Sequence, residues 1–200
     1  MTEVSYFNKA VIWGTPGDIN ERSTKDHKRP YLDMRIACPS DKYGDICVYA
    51  RMWGDEAIAA FLKAHIENPE GLYKFNGVLS QFDREGAKLT GFHLFKWAYS
   101  EEKLKRAVFI LRGVCTGRDV QEDTISVNWK QKGDHAVDTT FRLYGGAALM
   151  LPGDIVDIKG ALKDKDVYFG GSGLLIPYVE EVDVKGEIAR EAGKPIPRTL

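Results

Sequence analysis

DICVYARMWGDEAIAAFLKAHIENPEGLYKFNGVLS, residues 45–80, predicts a strand, a short helix and a second strand in succession. In the first strand apolar side chains recur at every second position, which is typical of a strand with one buried side. Gly54 interrupts this strand, and Asp55 is placed to cap a helix near residues 55–67. The proline and glycine that follow end the helix. A strand with a glycine inside it comes next, and this order predicts a small closed barrel with a helix across one end.

The same order returns in residues 137–162, which read VDTTFRLYGGAALMLPGDIVDIKGAL. Trp53-Gly54 corresponds to Tyr144-Gly145, and Gly77 corresponds to Gly160. Trp53 and Gly77 are 24 positions apart, whereas Tyr144 and Gly160 are 16 apart. The eight missing residues amount to about two turns of helix. The chain is therefore predicted to contain two copies of one unit, the second without most of its helix.

Two such units account for the 200 residues of the chain. The first unit is assigned to residues 1–100 and the second to residues 106–184, with the charged stretch SEEKLK between them. Residues 185–200 contain two prolines and are predicted to form a flexible tail. The predicted fold class is all-β with one short helix, arranged as two tandem five-stranded barrels.

The other predicted strands have bounds that follow from alternation and turn residues. Those of the first unit cover residues 4–13, 31–38 and 89–99, and those of the second cover 106–120, 124–131, 136–144, 154–163 and 174–184. Residues 18–30 and 81–88 are predicted loops. Trp53 and Tyr144 stand where a strand turns toward the helix position, so both are predicted to pack in the core.

The bulk composition indicates a globular protein, with 44% hydrophobic and 28% charged residues. The first residues lack the apolar core of a signal peptide, and no apolar run is long enough to cross a bilayer, so we expect a cytoplasmic protein without membrane contact. Cys38, Cys47 and Cys115 are unclustered, which predicts reduced core thiols and no metal site. A net charge of −1 argues against a strongly basic duplex-binding protein.

Catalytic and cofactor signatures are absent from the sequence. The four histidines are scattered, and no paired CxxC motif, Walker loop or nucleophile elbow occurs. The chain is therefore predicted to be a binding protein, with no enzymatic activity and no cofactor.

The two units share a set of residues that carries a family resemblance. In the first unit the set is Trp53-Gly54, Ala57, Leu62, Gly71, Tyr73, Phe75, Gly77 and Leu79; in the second it is Tyr144-Gly145, Ala147, Leu151, Gly153, Val156, Ile158, Gly160 and Leu162. With the flanking strands, roughly residues 4–184 resemble the single-stranded DNA-binding protein family of OB folds. The resemblance implies OB barrels that bind single-stranded DNA without sequence preference, in replication, recombination or repair.

Two features differ from bacterial members of that family, which usually carry one barrel per chain and an acidic tail that recruits replication proteins. This chain has two units, and its tail is slightly basic. It looks more like a phage, plasmid or otherwise divergent member. The tandem arrangement implies a monomer or homodimer, with replication or recombination proteins as further partners.

Aromatic and basic residues are the candidates for contact with nucleic acid, because exposed rings stack on bases and cationic side chains follow phosphates. Strands 31–38 and 46–53 each alternate an apolar side with an aromatic and basic side. The residues on that second side are expected to form one outward patch: Tyr31, Arg35, Tyr49 and Arg51. The two predicted loops border the patch with Arg22, Lys25, Lys28, Arg29, Phe82, Arg84 and Lys88.

The second unit contributes candidates of the same kind, namely Trp129, Lys130, Tyr168 and Phe169. Trp129 shares the phase of Ile125 and Val127, which predicts a core position, although an aromatic in the second strand is a common stacking residue in the resembling family. Phe82 and Phe169 lie in predicted loops at matching places in the two units, 81–88 and 164–173, and have no evident core to fill.

Three functions stay open at this point. The first is binding of single-stranded DNA or RNA. The second is a protein-interaction scaffold of the primosome or phage type, with the aromatic strand 89–99 as its interface. The third is an accessory domain of an enzyme complex. Salt separates the first from the second, because phosphate contacts weaken with added salt and an apolar interface does not.

Overall fold

The structure is a computed structural model, and it describes residues 4–24, 29–38, 46–84, 87–101, 107–131, 136–164 and 175–188, with backbone alone at 83, 84, 87, 88, 164 and 175. Its elements, in chain order, are β1 (Phe7–Ser23), β2 (Pro30–Cys38), β3 (Ile46–Trp53), α1 (Asp55–Glu67), β4 (Tyr73–Arg84), β5 (Ala87–Tyr99), β6 (Ala107–Asp119), β7 (Thr124–Gln131), β8 (Val137–Tyr144), a 3-10 turn (Ala147–Leu149), β9 (Asp154–Asp164) and β10 (Leu175–Glu187). The predicted fold class, mostly β with one helix in an OB arrangement, is confirmed.

Strands β1 to β5 pair in a closed ring. β1 pairs with β2, β2 with β3, β3 with β5, β5 with β4, and β4 returns to β1. The β3–β5 pair is parallel, and the other four are antiparallel. The inward side chains of the ring form a continuous apolar core that includes Ile12, Met34, Val48, Phe75 and Phe92.

Strands β6 to β10 repeat this ring with the same order of partners. β6 pairs with β7, β7 with β8, β8 with β10 in parallel, β10 with β9, and β9 returns to β6. In the position of α1 the second ring has a 3-10 turn of three residues. The second ring therefore has a short turn where the first ring has a helix.

Both rings meet through β1 and β6, which pair in an antiparallel manner from Phe7 opposite Arg112 to Ile12 opposite Ala107. Ala10 lies opposite Gly77, and Phe109 lies opposite Gly160, so Ala10 and Phe109 hold equivalent places in the two rings. These two residues also pair with each other. The register therefore relates the rings by a local twofold axis through β1 and β6. The assignment of residues 1–100 and 106–184 to separate domains remains a proposal.

Strand β1 is longer than predicted and continues to Ser23 through the expected loop. Its first half pairs with β4, and its second half pairs with β2. The change of partner coincides with a bulge between Gly17 and Asn20, where Asp18 has a φ of 47°. The prediction of a loop from residue 18 was wrong because a bulge lets a strand bend without ending.

The predicted loop 81–88 is also mostly strand, since β4 runs to Arg84 and β5 begins at Ala87. At the other end, β10 continues to Glu187, and the Ile188 amide donates to the Gly153 carbonyl oxygen. The predicted tail therefore begins too early at residue 185. Residues 189–200 lie outside the described ranges.

Helix α1 begins after Gly54, which has a φ of 101°, and no side chain caps it. The predicted cap at Asp55 was wrong. A φ in this region suits glycine, because a side chain there would meet the backbone. Asp55 and Glu56 instead occupy the first turn, where a negative charge favours the helix dipole.

The core predictions for three residues need correction. Trp53 and Tyr144 are half-buried on the outer sides of their strands rather than in the core. Cys38 and Cys115 are buried thiols as expected, but Cys47 is exposed. All three cysteines are free.

Candidate nucleic-acid interface

The outer side of β2 and β3 carries a continuous row of aromatic and charged side chains. The register places Tyr31 opposite Trp53, Asp33 opposite Arg51, and Arg35 opposite Tyr49. Their neighbours on the inner side, such as Met34 and Ala50, are fully buried. Since successive side chains of a strand point to opposite faces, burying the apolar set forces these six residues outward. The predicted alternation of Tyr31, Arg35, Tyr49 and Arg51 is therefore what the structure contains.

Five of these six residues, all except Trp53, line a surface cavity of about 640 Å³ on the first ring. Its wall is completed by the bulged half of β1 and by the facing parts of β4 and β5. The residues that line it are Asp18, Ile19, Asn20, Arg22, Tyr31, Asp33, Met34, Arg35, Tyr49, Arg51, Phe82 and Leu89. Eight of the twelve carry an aromatic or charged group, so the cavity combines stacking surfaces with fixed charges.

Arg51 lies at the centre of the aromatic part of this surface. Its guanidinium carbon is 4.2 Å from the centre of the Tyr31 ring, 5.1 Å from that of Phe82 and 5.9 Å from that of Trp53. A guanidinium within about 6 Å of a ring face is attracted by the ring's quadrupole. The planar cation and the rings together make one connected stacking surface.

Asp33 holds two arginines at the edge of this stack. Its Oδ1 accepts a hydrogen bond from Arg51 Nε at 2.9 Å, and its Oδ2 lies 3.2 Å from Arg22 Nε. Arg51 Nη2 also donates to the Tyr49 hydroxyl at 3.2 Å. The side chain of Asp33 is 14% exposed, so this carboxylate is a nearly buried link between β1, β2 and β3.

The pKa shifts in this cluster follow from burial and from Asp33. Burial raises the pKa of Tyr49, and a hydrogen bond to Asp33 raises it further. Burial by itself would lower the pKa of Arg51, but the hydrogen bond and charge of Asp33 raise it overall. Tyr49 therefore stays a neutral hydroxyl, and Arg51 stays a cation, across the physiological range.

Phe82 lies beneath the cluster rather than in a free loop. It is in β4, is 7% exposed, and makes edge contacts with Tyr49 at 4.8 Å and with His93 at 4.9 Å between ring centres. The expectation that this ring had no core to fill was wrong. Phe82 supports Tyr49 and Arg51 from behind, and its face is not available as a separate stacking site.

Trp53 belongs to the outer surface, although its position at the end of β3 predicted a core role. Its ring centre is 5.0 Å from that of Tyr31, with the planes tilted by 40°. An edge contact of 5.9 Å joins it to His93. The signal that identifies it was present in the sequence, because Trp53 shares the phase of Tyr49 and Arg51 in an alternating strand.

The basic residues of the β1–β2 hairpin are only partly gathered at the cavity. Arg22 and Arg35 line it, and Arg35 lies 3.8 Å from Asp18 across the bulge. Arg29 is exposed near the hairpin tip, where its amide donates to Thr24 Oγ1, and it does not line the cavity. Lys25 and Lys28 lie outside the described residues, as do the side chains of Arg84 and Lys88.

The corresponding face of the second ring is polar. Register places Ser126 opposite Arg142 and Asn128 opposite Thr140. Arg142 pairs with Glu122, and Lys130 pairs with Asp138 at 2.9 Å. Within the described parts of β7 and β8, Tyr144 is the one outward aromatic side chain.

Trp129 is 9% exposed and belongs to the hydrophobic core, as its phase predicted. With Lys130, it borders a second cavity of about 740 Å³, away from the first, together with Tyr6, Phe7 and Phe95. Neither residue lines the first cavity. Tyr168 and Phe169 lie outside the described residues.

The aromatic residues of β5 have mainly a structural role. Trp97 Nε1 donates to the Ala57 carbonyl oxygen at 3.3 Å, and the Tyr99 hydroxyl donates to that of Ala64 at 3.0 Å. These bonds fasten α1 to the ring, and Phe92 is fully buried. Phe95 and Tyr99 are 49% and 50% exposed, and Phe95 borders the second cavity.

Two further properties of the described residues concern metal binding and membrane spans. No group of three or more His, Cys, Asp or Glu side chains in them is arranged to hold a metal ion. No helix among them is both long and apolar enough to cross a membrane.

Known structures resemble this fold over nearly the whole chain. The wild-type single-stranded DNA binding protein from Thermus aquaticus superposes with a TM-score of 0.59 at 15% identity, covering 94% of this chain and 97% of that one. A deletion mutant of the same protein, delta 228-252 R190A, gives 0.58 at 14% identity, covering 94% and 98%. The similarity therefore includes both rings and concerns the fold.

A small single-stranded DNA binding protein from Mycoplasma pneumoniae covers 48% of this chain and 97% of its own, with a TM-score of 0.32 at 10% identity. No protein-family model matches the sequence. No curated protein matches it either.

Proposed function

We propose that the chain binds single-stranded DNA without sequence preference, using the outer face of β2 and β3 in the first ring. The observation that carries this proposal is the register of those strands, which interleaves Tyr31 and Tyr49 with Arg51 and Arg35 along one cavity wall and places Trp53 beside Tyr31. Bases stack on such rings, and arginines contact the phosphates. Similarity of fold to proteins named for single-stranded DNA binding supports the same function. The proposal includes a role in replication, recombination or repair.

Binding in this cavity is an equilibrium process with two parts. Stacking on an exposed ring contributes roughly 1–3 kcal/mol per base and is tolerant of sequence, because every base has a flat face. Arginine contacts release counterions from the strand, so the affinity depends on salt. Arg35 and Arg22 are 53% and 58% exposed, so both can reach a phosphate.

Fluorescence anisotropy with labelled oligo-dT and oligo-rU, each at two salt concentrations, tests the proposal. Wild-type protein is expected to bind oligo-dT and to weaken steeply as salt rises, and the rU series ranks RNA against DNA. Tyr31→Ala should weaken oligo-dT binding by roughly 1–3 kcal/mol. Tyr144→Ala, the same change on the polar face of the second ring, is the matched control. An equal loss in both variants would refute the assignment to the first ring.

A second candidate function is docking of a protein partner at the second cavity. Phe7 and Phe95 border it and are 46% and 49% exposed. An apolar interface there would be insensitive to salt. Failure of oligo-dT to bind at low salt would favour this scaffold function, or an accessory role in an enzyme complex, over nucleic-acid binding.

A further inference from the structure

Asp33 places a negative charge inside a cavity proposed to receive a polyanion. Its side chain is 14% exposed, and its two oxygens face Arg51 Nε at 2.9 Å and Arg22 Nε at 3.2 Å. A carboxylate in this place repels phosphate at short range and competes with it for both arginines. A role of Asp33 in positioning the two arginines would offset this loss of attraction for phosphate.

The two arginines are held to very different extents. The Arg51 side chain is 23% exposed, lies over the Tyr31 and Phe82 rings, and makes hydrogen bonds to both Asp33 and Tyr49. Arg22 is 58% exposed and comes from the bulged part of β1. A buried, multiply bonded pair resists exchange, whereas an exposed ion pair is weak and easily replaced.

We propose that Asp33 is a positioning residue with two separate effects on single-stranded DNA binding. It fixes Arg51 as a flat part of the stacking surface, and it holds Arg22 in a pair that a phosphate of the bound strand displaces. Bases then lie over the Tyr31–Arg51 stack, while the phosphates follow Arg22 and Arg35 along the β1 side of the cavity. This inference rests on the proposed function of the first ring.

Substitution Asp33→Asn tests the second effect, since asparagine keeps the shape and a hydrogen-bond acceptor for Arg51 but loses the charge. With Arg22 no longer paired to a carboxylate, oligo-dT should bind roughly twofold to fivefold tighter at low salt. A phosphate reaches Arg22 in both proteins, so the slope of log affinity against log salt should change by less than ~0.7, the value for one phosphate contact to a single strand. Unchanged or weaker binding at low salt, or a slope that steepens by a full contact, would overturn the proposal.

Asp18→Asn is the matched control, because it removes the same charge from the same cavity. Asp18 is 70% exposed and lies 3.8 Å from Arg35. A general change of net charge would affect both variants equally, whereas the proposal requires a clearly larger effect at Asp33. In an Arg22→Gln background, Asp33→Asn should lose its gain in affinity, and persistence of that gain would also overturn the proposal.

Nuclear magnetic resonance of the arginine Nε–H groups in wild-type protein provides a test that needs no variant. On addition of oligo-dT, the Arg22 Nε–H signal should shift as it exchanges Asp33 for phosphate, while Arg51 Nε–H should stay protected from water. Exchange at Arg51, or an unmoved Arg22 signal in a saturated complex, would contradict the proposal. If the wild-type protein does not bind oligo-dT, the proposed function itself fails. If it binds and the arginine signals behave otherwise than expected, only the present inference fails, so the two failures are distinguishable.

Discussion

Trp53 and Trp129 occupy opposite environments and should respond oppositely to the same substitution. Trp53 is half-buried and contacts Tyr31 on the outer surface, whereas Trp129 is 9% exposed in the core. Trp53→Ala should weaken oligo-dT binding by roughly 1–3 kcal/mol with a small effect on stability. Trp129→Ala should lower the free energy of unfolding by about 3–5 kcal/mol.

Anisotropy titration and urea denaturation of both variants measure the two quantities. The Trp129→Ala protein, under conditions in which it is folded, should bind oligo-dT with nearly wild-type affinity. Unchanged affinity of the Trp53→Ala variant would show that this ring is not part of the stacking surface.

His93 makes the stability of the first ring depend on pH. Burial and the nearby Arg51 charge lower its pKa from 6.5 to about 4. The unfolded chain therefore binds a proton at a higher pH than the folded protein, and folding is favoured when the imidazole is neutral. Stability should be complete above pH 6.5 and should decrease as the pH falls toward 4, by at most roughly 3 kcal/mol.

Denaturation midpoints measured across that pH range check this expectation. His93→Gln cannot take up the proton and should show a smaller loss between the two pH values. An identical pH dependence in wild type and variant would show that other groups are responsible.

Outer-surface residues were predictable where strand alternation was unambiguous. Tyr31, Arg35, Tyr49 and Arg51 follow from period-2 patterning alone. Trp53 was misassigned because its place before Gly54 was given more weight than its phase. Asp33 shares the phase of Tyr31 and Arg35, but its link to Arg51 and Arg22 depends on cross-strand register, which one strand's sequence does not contain.

Strand β4 needs a glycine at position 77, where its backbone approaches that of β5 closely. A Cβ at Gly77 would collide with the His93 carbonyl oxygen, beside the register shift between Asn76 and Gly77. Gly77→Ala should destabilise the protein by about 1–3 kcal/mol or more, because backbone must move. Gly17→Ala, where nothing lies within 4 Å of the added carbon, is the control in thermal denaturation. Equal melting temperatures would contradict the close approach.

Three strands were predicted closely along their whole length, whereas the ends of other strands were not. The central apolar alternation of β2, β3 and β7 gave bounds within one residue of the structure. The prediction ended β1 too early because Gly14, Pro16 and Gly17 are residue types common in turns. In the structure they accompany a bend and a change of partner within one strand. Local turn chemistry does not show whether a chain bends within a sheet or leaves it.

The two rings of the molecule are joined by pairing of the equivalent strands β1 and β6. Ala10 lies opposite its equivalent, Phe109. One chain therefore contains the pairing that single-ring chains would need a second subunit to make. We expect a monomer or a homodimer in solution. Light scattering at several protein concentrations measures the mass, and a tetramer or larger ring would contradict this expectation.

At this scale the internal repeat was the most informative feature of the sequence. It predicted two similar units and the loss of the second helix from spacing alone. The direct pairing of β1 with β6 was not predictable, because each strand has the same apolar alternation whether its edge faces solvent or another strand. The two outer faces differ at single positions: by register, Thr124 and Thr140 stand where the first ring has Tyr31 and Tyr49.

The position of the bound strand is the most direct test of the central claim. A single-stranded oligonucleotide containing iododeoxyuridine can be photo-crosslinked to the protein and the modified peptides identified by mass spectrometry. Crosslinks are expected at Tyr31, Tyr49 or Trp53, on the outer face of β2 and β3. Crosslinks confined to the second ring, or to the second cavity beside Phe95, would contradict the account.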